Sequence, residues 1–144
     1  MSIWLVIANP YAYDQAMWKA VSETQEYKGK LRVVFFINNN SIHDVIGELG
    51  QSGWLGSNPL YKLQKSMWEG YRALAGDVLK RVKRKAKEKD VELESQEIIE
   101  RPLIKEFLFE LVEEGATKIV IAGPQLLTAK MGELPSIAEY IEED

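Results

Sequence analysis

Two rhythms of apolar positions alternate along this chain and set the expected architecture. Ile3-Trp-Leu-Val-Ile-Ala8 is a continuous apolar run, as expected of a strand covered on both faces. Asn9-Pro10 ends it, because proline cannot extend a ladder and asparagine suits turns. A helix is predicted over Asp14 to Tyr27, with Ala16, Met17, Ala20, Val21 and Thr24 near one face and Gly29 as its stop. Leu31 to Ile37, rich in β-branched and aromatic residues, reads as the second strand. The longest helix is expected over about 60–89, where Leu63, Met67, Tyr71, Leu74, Val78 and Val82 form one apolar stripe. Val91 to Ile99 alternates, which predicts an edge strand with one wet face. Pro102 suits the first position of a further helix, whose stripe includes Phe107, Leu108 and Leu111 and which Gly115 stops. Thr117 to Ala122 is the next buried strand, and a final helix is expected over about 136–142.

Between the second strand and the long helix, Asn38 to Ser41 opens an irregular stretch. Ile42, Val45, Ile46 and Leu49 allow a short helix there. Trp54-Leu55, set among glycines, reads as a surface loop that tucks one tryptophan onto the body. Strands alternating with helices imply an α/β fold in one domain, 1–144, with an open, mainly parallel sheet, helices on both faces and right-handed crossovers. Ligands of such sheets sit beyond the carboxyl ends of the strands. That places the interest on Lys118 to Gln125 and the run on to Glu133-Leu-Pro-Ser136.

Composition narrows the chemistry. Hydrophobic residues at 46% and charged ones at 28% are ordinary for a globular chain, so disorder is not expected. No cysteine is present, which removes disulfides, thiol nucleophiles and thiolate metal sites. One histidine, His43, cannot form a His-cluster metal site, and it reads as a loop residue rather than a base. A net charge of −4 gives no general pull towards nucleic acid or an anionic membrane, so neither partner is expected. The basic run from Lys80 to Lys89 reads as a solvated helix end opposing the helix dipole. No apolar run approaches the roughly 20 residues of a membrane helix, and the start lacks a signal peptide's pattern, so a cytoplasmic protein is expected.

Several catalytic patterns are missing from the sequence. A Walker A loop needs glycines flanking a lysine and a hydroxyl, and none occurs. Ala8-Asn9-Pro10-Tyr11 stands where a dinucleotide fingerprint would place glycines. No G-x-S-x-G elbow exists. Asparagines, not aspartates, follow the first and second strands, which argues against a phosphoacceptor receiver domain.

Three stretches together carry a resemblance: Leu5 to Val21, Ala75 to Gly123 with its Gly-Ala-Thr-Lys-Ile-Val-Ile-Ala-Gly strand, and Pro135-Ser-Ile-Ala-Glu-Tyr-Ile141. Over nearly its whole length the chain resembles the universal stress protein family. The resemblance implies the strand order 3-2-1-4 and, in most members, a fifth strand that pairs across a homodimer. This chain stops where that strand would begin, so the expectation is a sheet lacking it, with Thr117 to Ala122 as an edge covered by a partner subunit or loop. ATP-binding members carry G-x2-G-x9-G-[S/T], in which glycines admit the phosphates and the hydroxyl binds them. Laid here, the pattern falls on Ala122, Gln125 and Pro135-Ser136: the spacing and the hydroxyl are kept and the glycines replaced, while Gly123 stands at another offset. Asn9 stands where those members place an aspartate facing adenine. By family position, the nucleotide-binding candidates are Asn9, Ile121, Ala122, Gly123, Gln125, Lys130, Ser136 and Ile137. The expectation is a non-catalytic stress-response or regulatory homodimer with no cofactor and no glycine-loop ATP site. The alternative is an ATP- or AMP-binding member with slow hydrolysis.

Overall fold

The computed structural model describes residues 1–39, 47, 57–123 and 134–143. Its elements follow in the order β1 (Ser2–Ile7), α1 (Asp14–Tyr27), β2 (Lys30–Asn38), α2 (Ser57–Glu88), β3 (Leu93–Arg101), α3 (Ile104–Glu113), β4 (Lys118–Ala122) and β5 (Ala138–Ile141). All described strands are parallel and make one open sheet in the order β3-β2-β1-β4-β5. β1 is the central strand, in register with β2 from Ser2↔Lys30 to Ile7↔Phe35 and with β4 from Ile3↔Lys118 to Ile7↔Ala122. Below these pairs, Thr117 clasps Ser2 twice, accepting from its amide at 3.0 Å and donating to its carbonyl at 2.8 Å.

Alternate strand residues point to opposite faces, so the sheet feeds two cores. On one face Leu5, Ile7, Val33, Phe35 and Val120 pack under α1 and α2. On the other, Trp4, Val6, Val34, Phe36 and Ile121 pack under Phe107, Leu108 and Leu111 of α3. The direction of strand addition reverses after β3, so α3 covers the opposite face from α1 and α2, as right-handed crossovers require. The reversal leaves a crevice between the carboxyl ends of β1 and β4. Among the described residues, no helix is long and apolar enough to cross a membrane.

The α1 face is the one read from the sequence: Ala16, Met17, Ala20, Val21 and Thr24 are buried. Its end differs in detail. The left-handed residue is Lys28 (φ 51°), not Gly29. Gly29 is required by space, because a Cβ there would stand 2.8 Å from the Met1 carbonyl oxygen. Gly115, at φ +97°, does end α3 through the left-handed turn that glycine favours. Pro102 lies before that helix rather than in its first turn, which is capped from Leu103.

In α2 only the second half of the expected stripe is buried. Val78 and Val82 are core residues, whereas Tyr71 is exposed. The helix has 32 residues and spans about 48 Å at 1.5 Å per residue. The nine residues of β2 reach only about 30 Å, so α2 is longer than the strand it covers, and Met67 and Trp68 are only partly buried against the core.

The chain's end corrects the sequence reading. Residues 138–141 form β5 rather than a helix, pairing from Ile119↔Ala138 to Ala122↔Ile141. The sheet therefore has its fifth strand, and β4 is an interior strand covered by this chain itself. The physical reason is two-faced burial. Tyr140 and Ala138 pack on the α3-side core and Ile141 on the other, a period of two that a helix cannot present. The expected short helix near 42–49 lies outside the described residues except at Gly47, and His43 and the Trp54 loop lie wholly outside them.

Neighbouring residues of α3 separate core from surface. Leu108 is 0% exposed and Phe109 is 42% exposed. Leu108→Ala is expected to lower unfolding free energy by about 2–5 kcal/mol, while Phe109→Ala changes it by about 0.5 kcal/mol or less. Urea unfolding of the two variants checks this, and equal losses would contradict the assignment.

Candidate functional site

The crevice at the carboxyl ends of β1 and β4 is where the topology positions a ligand. The Ala8 amide extends the pairing by donating to the Ala122 carbonyl at 2.7 Å. Asn9 follows, and its Oδ1 accepts from the Tyr11 amide at 3.0 Å, closing a turn of its own. Ile121 and Ala122 are buried, so their side chains belong to the core and only their backbone reaches this edge. The carbonyl of Gly123 accepts from the Tyr140 hydroxyl at 2.5 Å, which ties the strand's exit to β5. Beside Asn9, a recess of about 120 Å³ is walled by Ala8, Pro10, Phe35 to Asn38, and Tyr71 from α2. Ligand pockets run to about 300–1,000 Å³, so these walls alone do not enclose a nucleotide.

Ser136 and Ile137 are elsewhere. The Ile119 amide donates to the Ile137 carbonyl at 3.0 Å, and Ala138 donates to Pro135 at 2.9 Å. Both residues therefore lie at the amino end of β4, with Ser136 exposed. At about 3.3 Å per residue, the length of β4 puts Ser136 on the order of 15 Å from Gly123. Asn9, Ala122 and Gly123 come together, and Ser136 does not join them. Gln125 and Lys130 lie outside the described residues.

The crevice does contain a positive helix end, and this chain already fills it. Tyr13, at the cap of α1, supplies no side-chain hydrogen bond to the helix amides. The Gln15 amide in the first turn instead donates to Glu143 Oε2 at 2.9 Å. A carboxylate there accepts from an otherwise unsatisfied amide and complements the dipole. From the other side, Arg81 of α2 pairs with Asp14 at 2.6 Å and lies 5.3 Å from the Tyr13 ring centroid. Asp14, then Tyr13, holds the Arg81 guanidinium more firmly protonated than usual.

A second charged cluster fastens β5. Glu139 pairs with Lys19 of α1 and, at 3.2 Å, with Lys118 of β4, which also reaches Glu23 at 2.8 Å. Lys19, the larger influence, and Lys118 hold the Glu139 carboxyl below its ordinary value. Glu23, then Glu139, raises the Lys118 ammonium. The other oxygen of Glu23, Oε2, is buried without a hydrogen-bond partner among the described residues. The Gln15–Glu143, Lys19–Glu139 and Lys118–Glu23 contacts link residues 95 to 128 positions apart, so no local sequence signal announces them.

A larger open groove of about 590 Å³ lies at the other end of the sheet, lined by Gln25, Lys28, Lys87, Lys89, Asp90 and Glu92 among others. Its three lysines face two carboxylates and the carboxyl ends of α1 and α2, each carrying about half a negative charge. The balance is close to zero, so size alone does not make it a ligand site. Compared with known proteins, the chain matches no family model and no curated sequence.

The anchoring of β5 has a definite pH dependence. Glu139 is depressed in the fold, so its contribution is complete above the unfolded value of about 4.3 and is lost as pH falls through the lower folded value. Lys118 is raised, so its contribution is complete below about 10.4 and is lost as pH rises through its higher folded value. Glu139 is 39% exposed on its side chain, which limits the pairing to about 1 kcal/mol. Unfolding of Glu139→Gln across pH should show a deficit at neutrality that closes below about pH 4. A deficit constant with pH would contradict this role.

Proposed function

We propose that this chain is a non-catalytic stress-response or regulatory protein of the universal stress type that holds no ATP in a glycine loop. It acts in the cytoplasm as a homodimer. The observation that carries the reading is the separation of Ser136 from Asn9 and Gly123 along the length of β4. A phosphate-binding hydroxyl has to stand beside the crevice, and this one stands at the strand's opposite end. The Glu143 carboxylate on the first turn of α1 supports the reading further, since it takes an amide that a phosphate oxygen would use. The sheet order 3-2-1-4-5 agrees with the proposed type. The short outer edge of β5, which pairs only with β4 among the described residues, is the surface offered to a second copy.

One observation favours the alternative, an ATP or AMP binder with slow hydrolysis. The recess walled by Pro10, Asn38 and Tyr71 lies beside Asn9, where a flat base would find an aromatic and a proline wall. In that reading Gln125 and Lys130 belong to the loop that completes the site.

Mass spectrometry of small molecules released from freshly purified protein, with calorimetric titration by ATP and AMP, decides between the two. No nucleotide is expected to be retained, and no binding tighter than about 1 mM is expected. Binding near 1 μM that weakens about tenfold in Asn9→Ala would overturn the proposal.

A further inference from the structure

The charges on the two helix surfaces facing away from the sheet are distributed in a matching pattern. On α2, Lys80, Lys83, Arg84 and Lys87 are exposed and recur at i, i+3, i+4 and i+7, which puts them on one outward stripe. The stripe lies opposite the buried Val78, Val82 and Ala86. None of the four has a carboxylate partner among the described residues, whereas most other described cations do. The helix dipole does not account for them, because it acts within the last turn. Lys80, Lys83 and Arg84 precede that turn of a helix ending at Glu88.

On α3, across the sheet, Glu106, Phe109, Glu110 and Glu113 are exposed and follow the same i, i+3, i+4, i+7 spacing. Glu110 is paired with Arg101, while Glu106 and Glu113 have no cation partner among the described residues. Phe109 stands among these carboxylates 42% exposed. An exposed aromatic within a charged rim is the anatomy of a docking surface. The two stripes are equal in length, about 10 Å over seven residues, opposite in sign, and on opposite faces of one molecule. They cannot meet within a chain, but they can meet between two.

We propose that the basic stripe of α2 docks on the acidic stripe of α3 of a second copy of this chain. Phe109 then lies under the Lys83 and Arg84 side chains, which combine apolar stems with cations suited to an aromatic face. The contact is heterologous, because each copy offers a different surface to its neighbour. It therefore builds head-to-tail arrays rather than closing at two. A net charge of −4 gives no overall attraction for a polyanion, whereas the second copy offers acid in matching register. This inference is independent of the function proposed above and of pairing at the β5 edge, which is not expected to dissolve in salt.

Sedimentation velocity tests it on the full chain. Raising salt from about 0.01 M to about 1 M shortens the screening length from about 30 Å to about 3 Å and should disperse the arrays. Lys80→Glu with Lys87→Glu should weaken association roughly tenfold, as should Glu106→Lys with Glu113→Lys, the carboxylates these two lysines face in that register. Combining all four substitutions should restore it. All four positions are exposed, and circular dichroism verifies that each variant folds. Association indifferent to salt, or no recovery in the combined variant, overturns the proposal. So does loss of binding to a single-stranded oligonucleotide in Lys80→Glu/Lys87→Glu with self-association unchanged, which would assign the stripe to nucleic acid.

Discussion

The structure depends on the pairing of β1 along both of its edges. Its backbone groups are shared between β2 and β4, and Trp4 to Ile7 feed both cores alternately. A parallel strand in that position fixes much of the rest. Each neighbour has to be reached by a crossover, and the crossovers divide between two faces once the direction of strand addition reverses. α1 and α2 lie on one side and α3 on the other for this reason, and the crevice beyond β1 and β4 is its geometric by-product.

Elements whose burial comes from one local rhythm were legible in the sequence. Met17, Ala20 and Val21 on α1 and Phe107, Leu108 and Leu111 on α3 face the core because their spacing allows little else. The final strand was not legible. Ala-Glu-Tyr-Ile is short and carries one charge, and read alone it fits a helix as well as a strand. What decides between them is the unpaired edge of β4 together with Lys19 and Lys118, which receive Glu139. The long helix was legible in extent but not in depth of burial. Its apolar stripe is real, but periodicity does not say how closely each turn approaches the sheet, so Tyr71 borders a recess beside β2 and is exposed while Val82 is buried.

The candidate site was legible in position and not in assembly. Asn9 and Gly123 lie where a β-α-β reading puts them. Ser136 looked like their partner because sequence spacing to Ala122 is preserved, yet β5 carries it to the far end of β4. Spacing along a chain fixes contact only when the intervening path is known. The Glu143 contact with α1 was hidden for the complementary reason: its partner amide is 128 residues away. Both cases trace to β5, which moves Ser136 out of the crevice and brings Glu143 to its edge.

The clasp between Ser2 and Thr117 joins positions 115 residues apart. Contacts of such separation slow the search for the native state, because the intervening chain loses its freedom before the contact rewards it. β1, β2 and β3 come from the first 101 residues and can pair before β4 arrives. During that interval the inner edge of β1, among the most apolar in the protein, has no neighbour. The central strand that organises the finished sheet is therefore open to mispairing on that side for as long as β4 is unpaired.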